Sequence, residues 1–120
     1  MFFKVKDHSA MQAALEALCT YLLEAGVPSE RIFDGKLAAC ELLANVLKHT
    51  DGEAGLLCKL EDGYIELKIL SETFFKLPET ITCSDLFSEN GRGLYLVNEL
   101  SEGQIFSEND GIRVRIRIEK

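Results

Sequence analysis

The sequence predicts a two-layer α/β (α+β) sandwich in which three helices cover one face of a mainly antiparallel mixed sheet. The predicted elements follow the order β-α-α-β-β-loop-α-β-β along the chain. Each long strand alternates apolar with charged residues, so we expect a sheet that is covered on one side only. Asp-Gly pairs, a strong signal for tight hairpin turns, stand between the paired strands. At 120 residues, the chain (1–120) is expected to form a single domain.

The composition argues against several classes of protein. The formal net charge is −7, and such a field repels duplex nucleic acid. No apolar run approaches the roughly 18 residues that span a bilayer, and the first six residues lack the apolar core of a signal peptide. We therefore expect a cytoplasmic protein that has no direct nucleic-acid or membrane partner.

The cysteines show no metal-binding pattern. They are spread along the chain and none forms a Cys-x-x-Cys pair, so a zinc site is not expected. In a reducing cytosol they are interpreted as small apolar side chains. These residues are Cys19, Cys40, Cys58 and Cys83.

A short strand and a helix open the chain. The alternation of apolar and polar residues over Phe2–Lys6 predicts the strand. Asp7 or Ser9 can cap the helix that follows, and Gly26 with Pro28 ends it. The buried stripe of this helix is expected to contain Met11, Ala14, Leu15, Leu18 and Leu22.

A second helix begins after Ser29, which can cap it, and runs to Lys48 or His49. The Asp51-Gly52 pair breaks it. Apolar residues recur along it at the helical spacings of 4, 3, 4 and 3. Its expected core residues are Phe33, Leu37, Cys40, Ala44 and Leu47.

Two hairpins frame the rest of the chain. The first hairpin has an Asp62-Gly63 turn between the strands Leu56–Leu60 and Tyr64–Leu70. The stretch 71–90 that follows has little periodicity, which is typical of a functional or degenerate lid. Gly91 then opens a third helix, and two last strands, 104–107 and 112–119, pair across 109–111. The third helix should bury Leu94, Val97 and Leu100, and the last strand should turn Arg113, Arg115 and Arg117 to the open face.

The second helix carries polar residues at a spacing that suits chemistry. Glu41, Asn45 and His49 recur every four residues, so they form one ridge at the border of the expected apolar stripe. A carboxylate there can accept a proton, and an amide oxygen can bind Mg²⁺ or its water shell. The alternative is an ordinary amphipathic helix with polar flanks, which the spacing alone favours.

A second candidate site opens the third helix, where the sequence reads Asn90-Gly91-Arg92-Gly93-Leu94. Glycines at a helix N-terminus let backbone N–H groups approach a phosphate, and the helix dipole favours the anion. The Arg92 guanidinium could add a charge-assisted contact. For so short a motif the alternative is a plain tight turn into a helix.

Together and in this order, the two motifs resemble the ATP-binding superfamily of gyrase, the Hsp90 chaperones and the histidine kinases (the Bergerat fold). Glu41-Leu42-x-x-Asn45-x-x-x-His49 and Gly91-Arg92-Gly93-Leu94-Tyr95-Leu96-Val97 are most similar to the small bacterial anti-sigma factors that double as serine-protein kinases. The resemblance extends from the first helix to the last strand. It implies a regulatory switch protein that can bind ATP and phosphorylate another protein.

The resemblance also implies roles for single residues and for partners. Glu41 matches the catalytic carboxylate, and Asn45 matches the asparagine that coordinates Mg²⁺. The kinases of this family phosphorylate a serine on a STAS-type antagonist, which in its unphosphorylated form removes them from a sigma factor. A sigma factor or a STAS-type antagonist is therefore the implied partner, and a homodimer is also compatible. The residues that match the phosphate-binding segment are Gly91, Arg92, Gly93 and Leu94.

One part of the family pattern is replaced in this chain. Relatives carry an Asp-x-Gly-x-Gly box whose aspartate binds the adenine amino group, whereas this chain reads Ser71-Glu72-Thr73-Phe74-Phe75. Ser71 is thus the candidate at the adenine position, and loss of a buried charged acceptor costs about 1.5–3 kcal/mol of binding. We expect Phe74 or Phe75 to occupy or border the adenine slot. ATP and Mg²⁺ binding is then expected to be weak or lost.

Three functions therefore stay open from the sequence. The leading one is an anti-sigma-like switch that acts by protein–protein contact, with or without ATP. The second is an intact serine-protein kinase with a rebuilt adenine contact. The third is a detached ATPase module of a signalling system. Retention of Glu41, Asn45 and the Gly-Arg-Gly segment favours phosphate chemistry, while the 71–75 stretch argues against adenine recognition.

Overall fold

The computed structural model describes residues 1–49, 53–71 and 89–119 of the chain. Within them, three helices and five strands confirm the predicted α+β class, and both hairpins lie where the turn signals place them. The elements are β1 (Phe2–Val5), α1 (His8–Glu24), α2 (Ser29–His49), β2 (Ala54–Glu61), β3 (Tyr64–Ser71), α3 (Glu89–Leu100), β4 (Ile105–Glu108) and β5 (Gly111–Arg117).

The five strands form one sheet in the order β1-β2-β3-β5-β4. Every pairing between these described strands is antiparallel. The β2–β3 hairpin closes on the pair Glu61 and Tyr64, with Asp62 at φ 53° and Gly63 at φ 82°. A type I′ turn needs positive φ at both central residues, so the predicted Asp-Gly turn is confirmed.

The sheet has one apolar and one charged face, as predicted. Alternate residues of β3 and β5 point into the core, and Ile65, Leu67 and Val114 are fully buried. The predicted arginines lie on the open face, where Arg113 Nη1 is 3.6 Å from a Glu66 carboxylate oxygen and the Arg115 guanidinium lies 4.2 Å from the ring centre of Tyr64. The open face is therefore held by cross-strand charged and aromatic pairs.

Helix α1 agrees with its prediction in both its cap and its buried stripe. The Asp7 carboxylate accepts a hydrogen bond of 2.8 Å from the backbone N–H of Ala10, which satisfies one of the free donors of the first turn. The residues predicted to be buried are all at most 5% exposed, and they are Met11, Ala14, Leu15, Leu18 and Leu22.

The predicted buried stripe of α2 was wrong. Phe33 is 63% exposed, and Leu37, Cys40, Ala44 and Leu47 are only half-buried. The helix is rotated because it packs against three neighbours, α1, α3 and the sheet, so more than one stripe of its surface is covered. Its buried residues are Gly35, Ala38, Ala39, Leu42, Leu43, Asn45 and Val46.

Three of the four cysteines lie in the described part of the chain, and all three are free. Cys58 is fully buried in β2, and burial raises its pKa to about 12. It is therefore a protonated, apolar core side chain at neutral pH, as predicted. Cys83 lies outside the described residues.

No helix in the ranges 1–49, 53–71 and 89–119 is long and apolar enough to cross a membrane.

The core lies between the helices and the sheet, and it is formed by aliphatic side chains from α1, α2, α3 and all the central strands. This layer fixes the position of α2 relative to α3, which determines the geometry of the candidate site.

We predict that Gly111→Ala strongly destabilises the fold. Gly111 faces Leu70 across the β3–β5 pair, and an added Cβ would collide with the carbonyl oxygen of Ile69 and lie 3.1 Å from the Leu70 Cα. Backbone atoms cannot move without loss of pairing, so we expect the free energy of unfolding to fall by about 2–4 kcal/mol in urea titration.

Gly55→Ala is the matched control in β2, which pairs with β3 on the side opposite Gly111. A Cβ at Gly55 would come 3.1 Å from the ring of Phe2, which is 52% exposed and free to shift. We expect this variant to lose less than about 1 kcal/mol. Equal losses in the two variants would contradict the steric argument for Gly111.

Candidate functional site

Asn45 lies in the buried face of α2, not at its border as the sequence predicted. Its side chain is only 8% exposed, because the rotation of α2 turns this position toward the packed interior. Within the described part of the chain, the buried Nδ2 atom of Asn45 has no hydrogen-bond partner. An unsatisfied buried polar group costs about 1–3 kcal/mol, so the amide is available for a ligand at the expense of stability.

Glu41 lies one turn before Asn45 on the same side of α2 and contacts α3. A Cβ atom built on Gly93 would lie 2.6 Å from Oε2 of Glu41 and 3.5 Å from its Cδ. The carboxylate therefore rests against the α3 backbone at a glycine. This contact joins the two motifs, which are about fifty residues apart in the sequence.

Helix α3 begins at Glu89, two residues earlier than predicted. The Gly91–Gly93 segment is therefore part of the helix and not a loop that precedes it. Leu94 and Val97, which are 7% and 0% exposed, anchor α3 to the core as predicted, and Leu100 is partly buried. The free N–H groups belong to the first turn of α3, which contains Gly91.

The structure brings together only some of the predicted site residues. Glu41 and Gly93 are in contact, and Asn45 follows Glu41 on the same ridge. The side chains of Arg92 and His49 lie outside the described part of the chain, and so do Phe74 and Phe75, which we predicted at the adenine slot. Those predictions stay untested.

Ser71 ends β3, where its backbone N–H donates to the carbonyl oxygen of Asp110 at 2.9 Å. It lines a cleft of about 490 Å³ together with Phe2, Lys4, Glu53, Ala54, Gly55, Leu70, Asn109 and Asp110. Lys4 in this cleft is paired with Glu53, and Asp110 is paired with Lys68, so these lysines offer a phosphate little net attraction. We therefore do not place the phosphate site in this cleft, which includes residues of the open face of the sheet.

The ionisable group that precedes Glu41 in the chain is the Cys40 thiol. Burial, followed by the negative charge of Glu41, raises the pKa of the Cys40 thiol. Cys40 therefore stays protonated at neutral pH and adds no second negative charge near the place where an anion would bind. Glu41 remains the ionisable candidate for proton transfer on this side of α2.

The donor set suits a phosphate-bound magnesium ion better than a metal held by protein alone. The described residues contain no group of three or more His, Cys, Asp or Glu side chains that could hold a metal ion. Mg²⁺ retains several waters and commonly takes one or two protein ligands plus substrate phosphates. The Asn45 amide, whose oxygen and nitrogen exchange places by rotation about χ2, could supply one such ligand.

Sequence reasoning did not identify the contact between Glu41 and Gly93. A signal for it was present, since glycine inside a helix lowers helix stability and usually has a packing or functional reason. The partner of that glycine could not be read from the spacing, because α2 and α3 are separated by a hairpin and by the stretch 72–88.

Comparison with known families gives a match over nearly the full length of the sequence. The sequence pattern of the histidine kinase-like ATPase domain matches residues 5–118, which is nearly the whole chain. The match spans both motifs and every element from α1 to β5. A comparison with curated proteins finds no match.

We predict that Asn45→Leu stabilises the protein in the absence of ligand. Leucine branches at Cγ as asparagine does, although it is larger, and it has no polar atom to leave unsatisfied, so the free energy of unfolding should rise by roughly 1–2 kcal/mol in urea titration. The control Asn45→Asp buries a carboxylate at the same place and should lower it. A clear loss of stability in Asn45→Leu would show that the amide has a structural partner.

Proposed function

This chain belongs to the histidine kinase-like ATPase family, and on that premise we propose that it is an ATP-dependent regulatory switch of the anti-sigma type. The observation that carries the nucleotide part is the buried Nδ2 atom of Asn45, which has no hydrogen-bond partner among the described residues and lies one turn from a carboxylate that contacts α3. Buried polar groups without a partner are uncommon in folded proteins, and a ligand that the amide meets would account for this one.

Each of the described site residues would have a separate role in phosphoryl transfer. Asn45 would hold Mg²⁺ through its amide oxygen, and the first turn of α3 would receive phosphate oxygens at its free N–H groups. Glu41 would accept the proton of an attacking hydroxyl, since a carboxylate in this position can act as general base. Bound ATP would supply the phosphoryl group.

The residue proposed at the adenine end of the site favours weak binding of the nucleotide. Ser71 stands where a charged acceptor would bind the adenine amino group, and a serine hydroxyl makes a weaker, neutral hydrogen bond. The phosphate end keeps its candidate residues. We therefore propose binding of ATP with Mg²⁺ in the high micromolar to millimolar range, about −5 to −4 kcal/mol.

The proposed partner is a cytoplasmic protein, either a sigma factor or a STAS-type antagonist. Large apolar side chains are exposed on the described surface, and Leu23, Phe33 and Phe2 are 68%, 63% and 52% exposed. Single exposed apolar residues are common on soluble proteins. They supply apolar area that a protein partner would cover.

We predict that calorimetric titration with ATP and Mg²⁺ gives a weak dissociation constant and that Ser71→Asp tightens it by one to two decades. The added carboxylate restores a charge-assisted acceptor worth about 1.5–3 kcal/mol. Ser71→Asn, of similar size without the charge, is the matched control and should change affinity far less.

Two outcomes of this titration would change the proposal. A low-micromolar constant for the natural sequence would mean an intact kinase with a different adenine contact. No binding by either the natural sequence or Ser71→Asp would mean a nucleotide-free adapter that acts through protein contact alone.

We also predict that the tagged protein captures a sigma factor or a STAS-type protein from a native lysate of its own cell. With labelled ATP, a captured STAS-type partner should become phosphorylated on serine, and Glu41→Gln should abolish the transfer while capture persists. Recovery of only nucleic acid or membrane lipid would contradict the switch proposal. Capture without transfer would support the adapter alternative.

A further inference from the structure

Gly93 is packed against the length of the Glu41 side chain. An added Cβ on Gly93 would come 2.6 Å from Oε2, 3.5 Å from Cδ and 3.6 Å from Cβ of Glu41. Both ends of the Glu41 side chain are thus close to the same point on α3. The space that any other residue would fill with its own side chain is taken by the Glu41 side chain.

The position of Gly93 in α3 does not suit a phosphate cradle. It is the fifth residue of the helix that begins at Glu89, and beyond the first turn each backbone N–H already has an acceptor within the helix. Gly93 itself is buried. Its N–H is therefore not a free donor for an anion, unlike those of the first turn.

A buried glycine inside α2 shows the contrast. At Gly35 in α2, an added Cβ would meet Leu22 Cδ1 at 3.5 Å and Ile65 Cδ1 at 3.9 Å, which are ordinary packing distances. Gly35 could be alanine without a clash. Gly93 could not unless the Glu41 carboxylate moved, and the carboxylate is the flexible end of its side chain, so the fold would survive the change.

We propose that Gly93 is a positioning residue for Glu41: by lacking a Cβ, it lets the carboxylate rest against α3 and so fixes the place from which that carboxylate accepts a proton. The catalytic consequence rests on the proposed function, whereas the steric coupling of the two residues does not. Any shift of α3 along α2 would then be transmitted directly to the catalytic carboxylate.

The steric part is tested by a double-mutant cycle in thermal unfolding without nucleotide. Alanine is a better helix former than glycine, so Gly35→Ala should raise Tm by about 3–6 °C. Gly93→Ala should give no increase, because its gain is offset by displacement of Glu41. In the Glu41→Ala background the clash is absent, and Gly93→Ala should then raise Tm as Gly35→Ala does. The same shift for Gly93→Ala in both backgrounds would overturn the proposal.

The catalytic part is tested by separating binding from turnover. For Gly93→Ala we expect the dissociation constant for ATP with Mg²⁺ to stay within about threefold while kcat falls by about tenfold or more. Gly35→Ala should change neither. A tenfold loss of ATP affinity with kcat retained would instead make Gly93 a phosphate-binding residue and overturn the positioning role.

The two tests separate failure of this proposal from failure of the proposed function. If the natural sequence binds no nucleotide, the ATPase proposal fails and the positioning role has no reaction to serve. The Tm cycle then still shows whether Glu41 and Gly93 compete for the same space. If ATP binds and turns over but the cycle shows no coupling, the proposed function stands and the positioning role is wrong.

Discussion

Burial of α2 on three sides is the constraint on which the site depends. The helix packs against α1, α3 and the sheet, and its small residues Ala38 and Ala39 are fully buried and allow close approach. Because so much of its circumference is covered, a polar residue at position 45 cannot turn into water. The packing that stabilises the core thus also holds the Asn45 side chain where the described residues leave its Nδ2 atom without a hydrogen-bond partner.

Two local costs to stability lie on the α2 and α3 faces that meet in this way. The Nδ2 atom of Asn45 is buried and has no hydrogen-bond partner in the described part of the chain. Glycine at position 93 lowers helix stability, and its missing side chain leaves space for Glu41. Such costs to stability at neighbouring positions are typical of a functional site, since selection retains them for a reason other than stability. Membership of the histidine kinase-like ATPase family agrees with the proposed reason, which is the binding of nucleotide phosphates.

The two ends of the proposed nucleotide site differ in what they retain. The phosphate end would combine the Glu41 carboxylate, the Asn45 amide and the N-terminus of α3. At the adenine end, Ser71 would offer a neutral hydroxyl in place of a charged acceptor. Affinity is the sum of both ends, whereas phosphoryl chemistry depends on the first alone. A switch protein that binds nucleotide weakly could therefore keep the chemistry while its state is set mainly by a protein partner.

The sequence by itself determined the class, the order of the elements and the faces of most of them. Alternation placed Ile65, Leu67 and Val114 in the core, because a strand offers only two faces and a charge must avoid the buried one. Asp62-Gly63 determined its turn, since few residues adopt positive φ. Only the tertiary structure decided the rotation of α2 and the contact of Glu41 with Gly93. Phe33 shows why: a helix covered by three neighbours has several apolar stripes, and the side that faces solvent depends on how those neighbours pack, which no local spacing records.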